Sequence, residues 1–357
     1  MSNYIEYNDK IAFHPGYYIK EIIDESGLTQ EDFAKRLATT PKNLSCLIRG
    51  KQSLSNDIAM KLSRMLGTSI SYWLNLQNTY DSLIAEFESD RELIRERNVF
   101  KNLDYGYFRD NFHLPKLPRK IDEQIHEVRK LLNIATLSVL TNADLAINFR
   151  SSSDTMIESN IIKANAMVQL AINKALTIES PKFNKDDFKT AVEYALTLTD
   201  NHENFYPLIR DAFLKAGVIF IILPNLPGSK INGATKKIGN NLLLMVNDRG
   251  QYSDTFWFTL FHEIGHIMND DYGVSFEEES KNKEDSANKY AENSLIPLEA
   301  YQNFIAVHQF DLESIKAFSA SIKRDPGIVL GRLQNDGFVK YNDVSLNILK
   351  HKYKLFT

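Results

Sequence analysis

The stretch from Thr255 to Asp270, TFWFTLFHEIGHIMND, constrains this chain more than any other: it reads as an apolar helix with two histidines and a glutamate set into it. Leu260, Phe261, Ile264, Ile267 and Met268 are its packing residues. At 3.6 residues per turn His262 and His266 stand one above the other, so both imidazoles reach one ion. Glu263 is rotated by about 100° from His262, which puts its carboxylate beside that ion without making it a ligand. A carboxylate so placed suits a general base acting on water, and zinc (Zn2+) is an ion that acidifies water and polarises a carbonyl. The competing reading is a pair of satisfied core histidines. It is the weaker one, because two imidazoles and an acid in an apolar helix need partners to offset their burial. Gly265 removes a side chain between the histidines and leaves room for an approaching backbone.

A site of this type takes a third protein ligand and leaves a fourth position for water. Downstream of His266 the candidates are Asp270, Asp271, Glu277 to Glu279, Glu284, Asp285, Glu292 and His308. The run EDSANKYAENSLIP reads as a second helix with Ala287, Tyr290, Ala291 and Leu295 on its packed side, which favours Glu284, with Asp285 the main rival. Asn288 follows Glu284 by four residues on the same face, where its amide can orient an imidazole. The donor that would stabilise an oxyanion stays open among Tyr252, Lys281, Tyr301 and Arg324.

The single cysteine, Cys46, excludes an intramolecular disulfide and a cysteine-rich zinc cluster, so a metal must use His and carboxylate ligands. The opening MSNYIEYNDKIAF has no apolar signal region, and the most apolar run, Gly217 to Leu223, is a buried strand far too short to span a bilayer. The expectation is a cytoplasmic protein with no membrane partner. A net charge of −4 over 357 residues does not advertise nucleic-acid binding, yet between Phe33 and Asn56 there is no acid, while Lys35, Arg36, Lys42, Arg49 and Lys51 carry positive charge.

That basic stretch lies within a helical pattern. YYIKEIIDESG ends a first helix at Gly27, and Thr29 caps a second whose buried stripe is Phe33, Ala34 and Leu37, with Leu28 and Phe33 placed as a staple. After a break at Ala38-Thr39, Thr40 caps a third helix with Pro41 at its first position and Leu44, Leu47 and Ile48 facing inward. A fourth runs from Ser55 to Leu66, and Tyr72-Trp73-Leu74 packs beneath. Helix, short turn, helix is the helix-turn-helix arrangement. Its third helix would offer Thr40, Lys42, Asn43, Ser45 and Arg49 to base edges and phosphates, with Gln30 touching phosphate. A protein-docking bundle is the bland alternative. Residues 13–81, through FHPG, GLTQEDFAKRL, LGTS and YWLNLQNTYD, resemble the HigA-type antidote branch of the XRE (lambda-repressor-like) helix-turn-helix family. That resemblance implies a homodimeric autorepressor on operator DNA, with a toxin as a possible partner.

Beyond residue 81 a charged connector helix leads into residues 101–120, read as an irregular strap in which the aromatics of DYGYF pack against a neighbouring helix. Helices fit 161–174, 185–198 and 205–216, while His113, His126 and His202 read as surface or local hydrogen-bonding residues. GVIFIIL, Gly233 to Thr235 and NLLLMVN read as strands, with a turn at Gly239 to Asn241. Residues 210–298, through GVIFIILPNLPGSKINGAT, FWFTLFHEIGHIMND and ExxANxYAxxxLIP, resemble the ImmA/IrrE family of gluzincin-like metallopeptidases. The resemblance implies His262, His266 and Glu284 as zinc ligands, Glu263 as base, and Gly233 to Thr235 as an edge near the cleft.

The fold expected is α+β and mostly helical: an all-α helix-turn-helix bundle (1–80), a linker helix and strap (81–120), a helical middle (121–204), a gluzincin-like zinc peptidase core with a small β-sheet (205–300) and a helical extension (301–357). The function expected is a DNA-binding regulator of antitoxin type with a zinc endopeptidase acting on a regulatory protein. The alternative is a non-hydrolytic antitoxin or regulator whose zinc domain is sensory or structural.

Overall fold

The structure is a computed structural model and describes residues 4–142, 158–229, 231–248, 252–271 and 279–353. It divides into two compact units, residues 1–95 and 96–357. Each is built around its own apolar core.

The first unit opens with an antiparallel hairpin, β1 (Tyr4–Tyr7) and β2 (Lys10–Phe13), turning through Asn8 at φ 52°. It is therefore not all-α as expected: Asn8-Asp9 supplies the positive-φ turn and aromatic and β-branched residues flank it. Helices α1 (Pro15–Ser26), α2 (Gln30–Arg36), α3 (Pro41–Ile48) and α4 (Asn56–Leu66) follow. Thr29, Thr40 and Ser55 cap the last three through their side-chain oxygens, which accept from the amides of Asp32, Asn43 and Ile58. Phe33, Ala34, Leu37, Leu44, Leu47 and Ile48 all fall in the core, as their spacing requires. Helix α5 (Ile70–Phe100) begins by burying Trp73, whose indole N–H donates to Thr68 Oγ1, while Tyr72 stays exposed.

In the second unit residues 105–112 form a helix, α6 (Tyr105–Phe112), inside the segment expected to be irregular. Asp104 caps it, and Tyr105, Tyr107 and Phe108 are buried, so the aromatics are packing residues. Helices α7 (Ile121–Leu132), α8 (Glu158–Ala175), α9 (Lys185–Leu196) and α10 (Phe205–Lys215) precede a mixed sheet of β3 (Val218–Leu223), β4 (Gly233–Ile238) and β5 (Asn241–Asn247). Its order is β3-β5-β4, with β3 parallel and β4 antiparallel to β5. Both faces of β3 and β5 are covered, so these strands read as unbroken apolar runs. Val218, Phe220, Leu242 and Leu244 meet α11 (Ser253–Met268) and α10, while the alternate residues face α8. Helices α12 (Glu279–Leu295), α13 (Leu298–Ala306), α14 (Leu312–Ile322), α15 (Pro326–Asn335) and α16 (Val344–Asn347) complete the unit. The chain's last described residues clasp the start of α11. Ser253 N donates to His351 O, and the Trp257 indole donates to the buried Tyr353 hydroxyl. No helix among the described residues is long and apolar enough to cross a membrane.

Candidate metal centre

Helix α11 is apolar on nearly every side and buried along most of its length, so its polar groups have to find partners inside the protein. His266 is fully buried and Glu263 is 3% exposed. The two histidine Nε2 atoms lie 3.1 Å apart. Glu284, from α12, brings Oε2 to 3.4 Å from His262 Nε2 and Oε1 to 3.8 Å from His266 Nε2. Ligand atoms held at about 2.0–2.1 Å from one tetrahedral ion sit roughly 3.3–3.4 Å from each other. The observed separations of 3.1, 3.4 and 3.8 Å bracket that value.

The far side of each ring decides the chemistry of the near side. His262 Nδ1 donates to Asn288 Oδ1 at 2.8 Å, and His266 Nδ1 donates to Asp271 Oδ2 at 2.9 Å. An acceptor on each Nδ1 keeps the proton there, so each Nε2 turns a lone pair toward the other ring and toward the Glu284 carboxylate. Three lone-pair donors converging this closely repel one another, and a cation among them reverses that repulsion. His262, His266 and Glu284 therefore fit a metal ion by position and by donor type.

Two glycines set this geometry. A Cβ on Gly265 would stand 3.1 Å from Ala287 Cα and O, so its absence lets α12 approach and bring Glu284 and Asn288 to the histidines. A Cβ on Gly233 would stand 2.6 Å from Glu263 Cγ and 2.8 Å from its Oε1. The first residue of β4 thus lies against the Glu263 side chain, and β4 is an edge of the sheet.

Two of the other carboxylates considered as ligands are engaged elsewhere. Asp270 pairs with Lys185 at 2.6 Å and Glu292 with Arg332 at 3.0 Å, while Asp285 is exposed. Asp271 is the residue that sequence reasoning misplaced, as a ligand candidate only. Asp270 takes a left-handed φ of 56° and Asp271 N donates to His266 O, which folds the chain back and brings the Asp271 carboxylate onto the ring behind. The signal was there in Asn269-Asp270, residues that tolerate this conformation at a helix end. Glu277, Glu278 and the side chains of Glu279 and Lys281 lie outside the described residues.

Of the oxyanion candidates, Tyr301 donates to Asp336 Oδ2, and burial pushes its phenol far above the ordinary range. Arg324 donates to the carbonyls of Leu295, Leu196 and Lys323, and desolvation lowers its guanidinium. Tyr252 is exposed, under the Lys352 ammonium. His202 is a local hydrogen-bonding residue: it stacks on His351 and places Nε2 3.3 Å from Asp325 Oδ2.

In the first unit, α2 and α3 are joined through Leu37 to Thr40, with Ala38 at φ 49° and its carbonyl held by Lys61 Nζ. Gln30, Thr40, Lys42 and Arg49 are exposed, and Asn43 and Ser45 are half-buried. Their contacts differ. Thr40 Oγ1 holds the Asn43 amide, Asn43 Nδ2 donates to Thr39 and its Oδ1 accepts from Gln52, and Arg49 donates to Ser45 Oγ. Asn43 braces the turn, whereas Gln30 and Lys42 lie on the open surface.

Comparison with known proteins separates the same two parts. Residues 19–73 match the family model described as helix-turn-helix, and residues 219–321 match the one described as IrrE N-terminal-like domain. The chain is 37% identical over 92 residues to the uncharacterized HTH-type transcriptional regulator YddM of Escherichia coli (strain K12), covering 25% of this chain and 96% of that protein. It is 32% identical over 80 residues to virulence-associated protein I of Dichelobacter nodosus, covering 22% of this chain and 74% of that one. Among solved structures it is similar to an addiction module antidote protein of a HigA family from Coxiella burnetii, at 28% identity and a TM-score of 0.22, covering 24% of this chain and 92% of that chain.

Proposed function

This chain belongs to the helix-turn-helix family through its first domain and carries an IrrE-like domain beyond it, and from that premise we propose that it is an operator-binding regulator whose second domain is a zinc-dependent endopeptidase. The observation that carries the enzymatic part is the convergence of both Nε2 atoms on Glu284 while both Nδ1 atoms are held from behind. His262, His266 and Glu284 hold the ion in this reading, and Asn288 and Asp271 fix the rings. Zinc, when bound, supplies an acidified water and a polarised carbonyl. The Glu263 carboxylate takes a proton from the attacking water and returns it to the leaving amine in this reading, and Gly233 of β4 packs against its side chain. The substrate is a polypeptide, a regulatory protein in the simplest case.

The first domain binds DNA in this reading through the start of α3, with Lys42 and Gln30 toward phosphate and the side chains of Thr40, Asn43, Ser45 and Arg49 around the groove. The HigA-type resemblance of residues 13–81 supports the further reading that it binds as a homodimer to a near-palindromic operator in its own promoter, the protein's two-fold matching that of the site. The same resemblance makes a toxin a candidate partner.

The test replaces Glu263 by Gln. The variant is expected to retain one zinc per chain, to protect the operator from nuclease as the wild type does, and to spare every protein that the wild type cleaves in cells. Cleavage that continues in a zinc-loaded Glu263→Gln chain removes the base. Zinc and operator binding with no cleavage by the wild type would instead establish the sensory or structural role for the second domain.

A further inference from the structure

The stripe of α11 that carries His262 continues toward the helix start through Thr259, Phe258 and Thr255, three to seven residues upstream. The stripe of α12 that carries Glu284 and Asn288 continues through Glu292 to Leu295. Between these continuations lies a cavity of about 250 Å³. Its apolar walls include Phe258, Leu295, Ile296 and Ile328, and α15 closes it with Gly331, Arg332 and Asn335. The cavity adjoins the metal centre on two sides. Phe258 lies 6.3 Å, centroid to centroid, from the His262 ring, and Asn232, on its rim, precedes the Gly233 that touches Glu263.

The geometry points to a subsite that takes the side chain of a substrate residue adjoining the scissile bond, selective for a bulky, uncharged, apolar one. This inference rests on the peptidase reading of the domain and specifies its substrate. Size supports it, since pockets for drug-sized ligands run roughly 300–1,000 Å³ and this one is smaller. Charge supports it too. Arg332 is paired with Glu292 at 3.0 Å and with Asp336 at 2.7 Å, and Asp254 with Lys350 at 2.6 Å, so the lining balances its own charges and asks for none. One wall, α15, lies beyond the segment matched by the IrrE-like model. The selectivity is thus a property of this chain's own extension, held in place by the Arg332 bridge from α15 to α12.

The experiment uses the full chain carrying Glu263→Gln, so that no turnover intervenes, with the blocked amino-acid amides of leucine, phenylalanine, glycine and aspartate as probes. Binding is read by saturation-transfer NMR. Leucine and phenylalanine amides are expected to bind at least tenfold more tightly than glycine and aspartate amides. Thr259→Phe on α11 and Asn335→Phe on α15 fill the cavity from opposite walls, at half-buried and exposed positions, and each is expected to abolish that preference while zinc content and melting temperature are kept. Equal binding of the four probes, or a preference that survives both filled variants, overturns the inference. A wild type that cleaves no protein while the preference holds sinks only the peptidase reading. Cleavage without the preference sinks only the subsite.

Discussion

Replacing Gly233 by Ala adds one methyl group at the point where β4 meets α11. Its Cβ would lie 2.6 Å from Glu263 Cγ, whereas unstrained carbon atoms stay about 3.5–4.0 Å apart, so something must yield by about 1 Å. The backbone of Gly233 is paired to Val246 in the sheet, and Glu263 is 3% exposed on a packed helix, so neither side yields freely. Overpacking of this kind costs about 1–3 kcal/mol. Since 1 kcal/mol moves the melting point of a domain this large by roughly 2–4 °C, the expected loss is about 2–12 °C. The decisive assay is a double-mutant cycle in thermal or urea unfolding. In a Glu263→Ala background the colliding atoms are gone, so Gly233→Ala should be close to neutral, giving a coupling of about 1–3 kcal/mol. Equal destabilisation by Gly233→Ala in both backgrounds would falsify the contact between the edge strand and the carboxylate. The candidate ligands His262, His266 and Glu284 are untouched, so on the zinc reading zinc content should not change.

Three further outcomes are expected. Asp271→Ala removes the acceptor behind His266 and should weaken zinc binding about 10–100-fold in chelator competition; unchanged affinity would strip Asp271 of its orienting role. Burial pushes the Asp325 carboxyl up to about 6, beside Ser253, His202, Asp200 and Tyr353. Because its folded value lies above the unfolded value of about 4, this group favours the folded state below about pH 4, and that contribution is lost as the pH rises through 6, a swing on the order of 3 kcal/mol. Asp325→Asn should flatten the decline in unfolding free energy between those pH values, and an identical slope would contradict the assignment. Lys42→Ala should lower the slope of log affinity against log salt for operator DNA by about 1 in fluorescence anisotropy, and no change in slope would take Lys42 off the phosphates.

What the sequence disclosed and what it withheld divide along the range of the forces involved. Caps and faces are local, so Thr29 and Thr40 announced their helices, and the stripe from Phe33 to Ile48 announced its core. The pairing of His262 with Asn288 was legible for a related reason: two helices with one polar stripe each must turn those stripes together. Asp271 was harder, because its role depends on a single left-handed residue reversing the chain at the end of α11. Least legible was the cavity. It combines Asn232, α11, α12 and α15, elements spread over about a hundred residues, and no periodicity links Arg332 to Glu292. The opening hairpin was missed for a different reason, since its strands of four residues are too short to establish an alternation.

The offset between adjacent residues on a helix accounts for the layout of the whole centre. His262 and Glu263 differ by one position and by about 100°, so one points to α12 and the other to β4. The candidate ligand and the proposed base thus draw support from different elements, His262 from α12 and Glu263 from β4. Each wall requires a backbone to come within contact distance of α11, and a glycine stands at each approach, Gly265 beneath α12 and Gly233 beside the carboxylate. A larger residue at the first would drive Glu284 away from the imidazoles, whereas one at the second would displace the carboxylate and leave the ligands in place. Under the proposed function, substitutions at Gly265 and Gly233 are therefore expected to separate metal affinity from proton transfer, although His262 and Glu263 are adjacent in the chain.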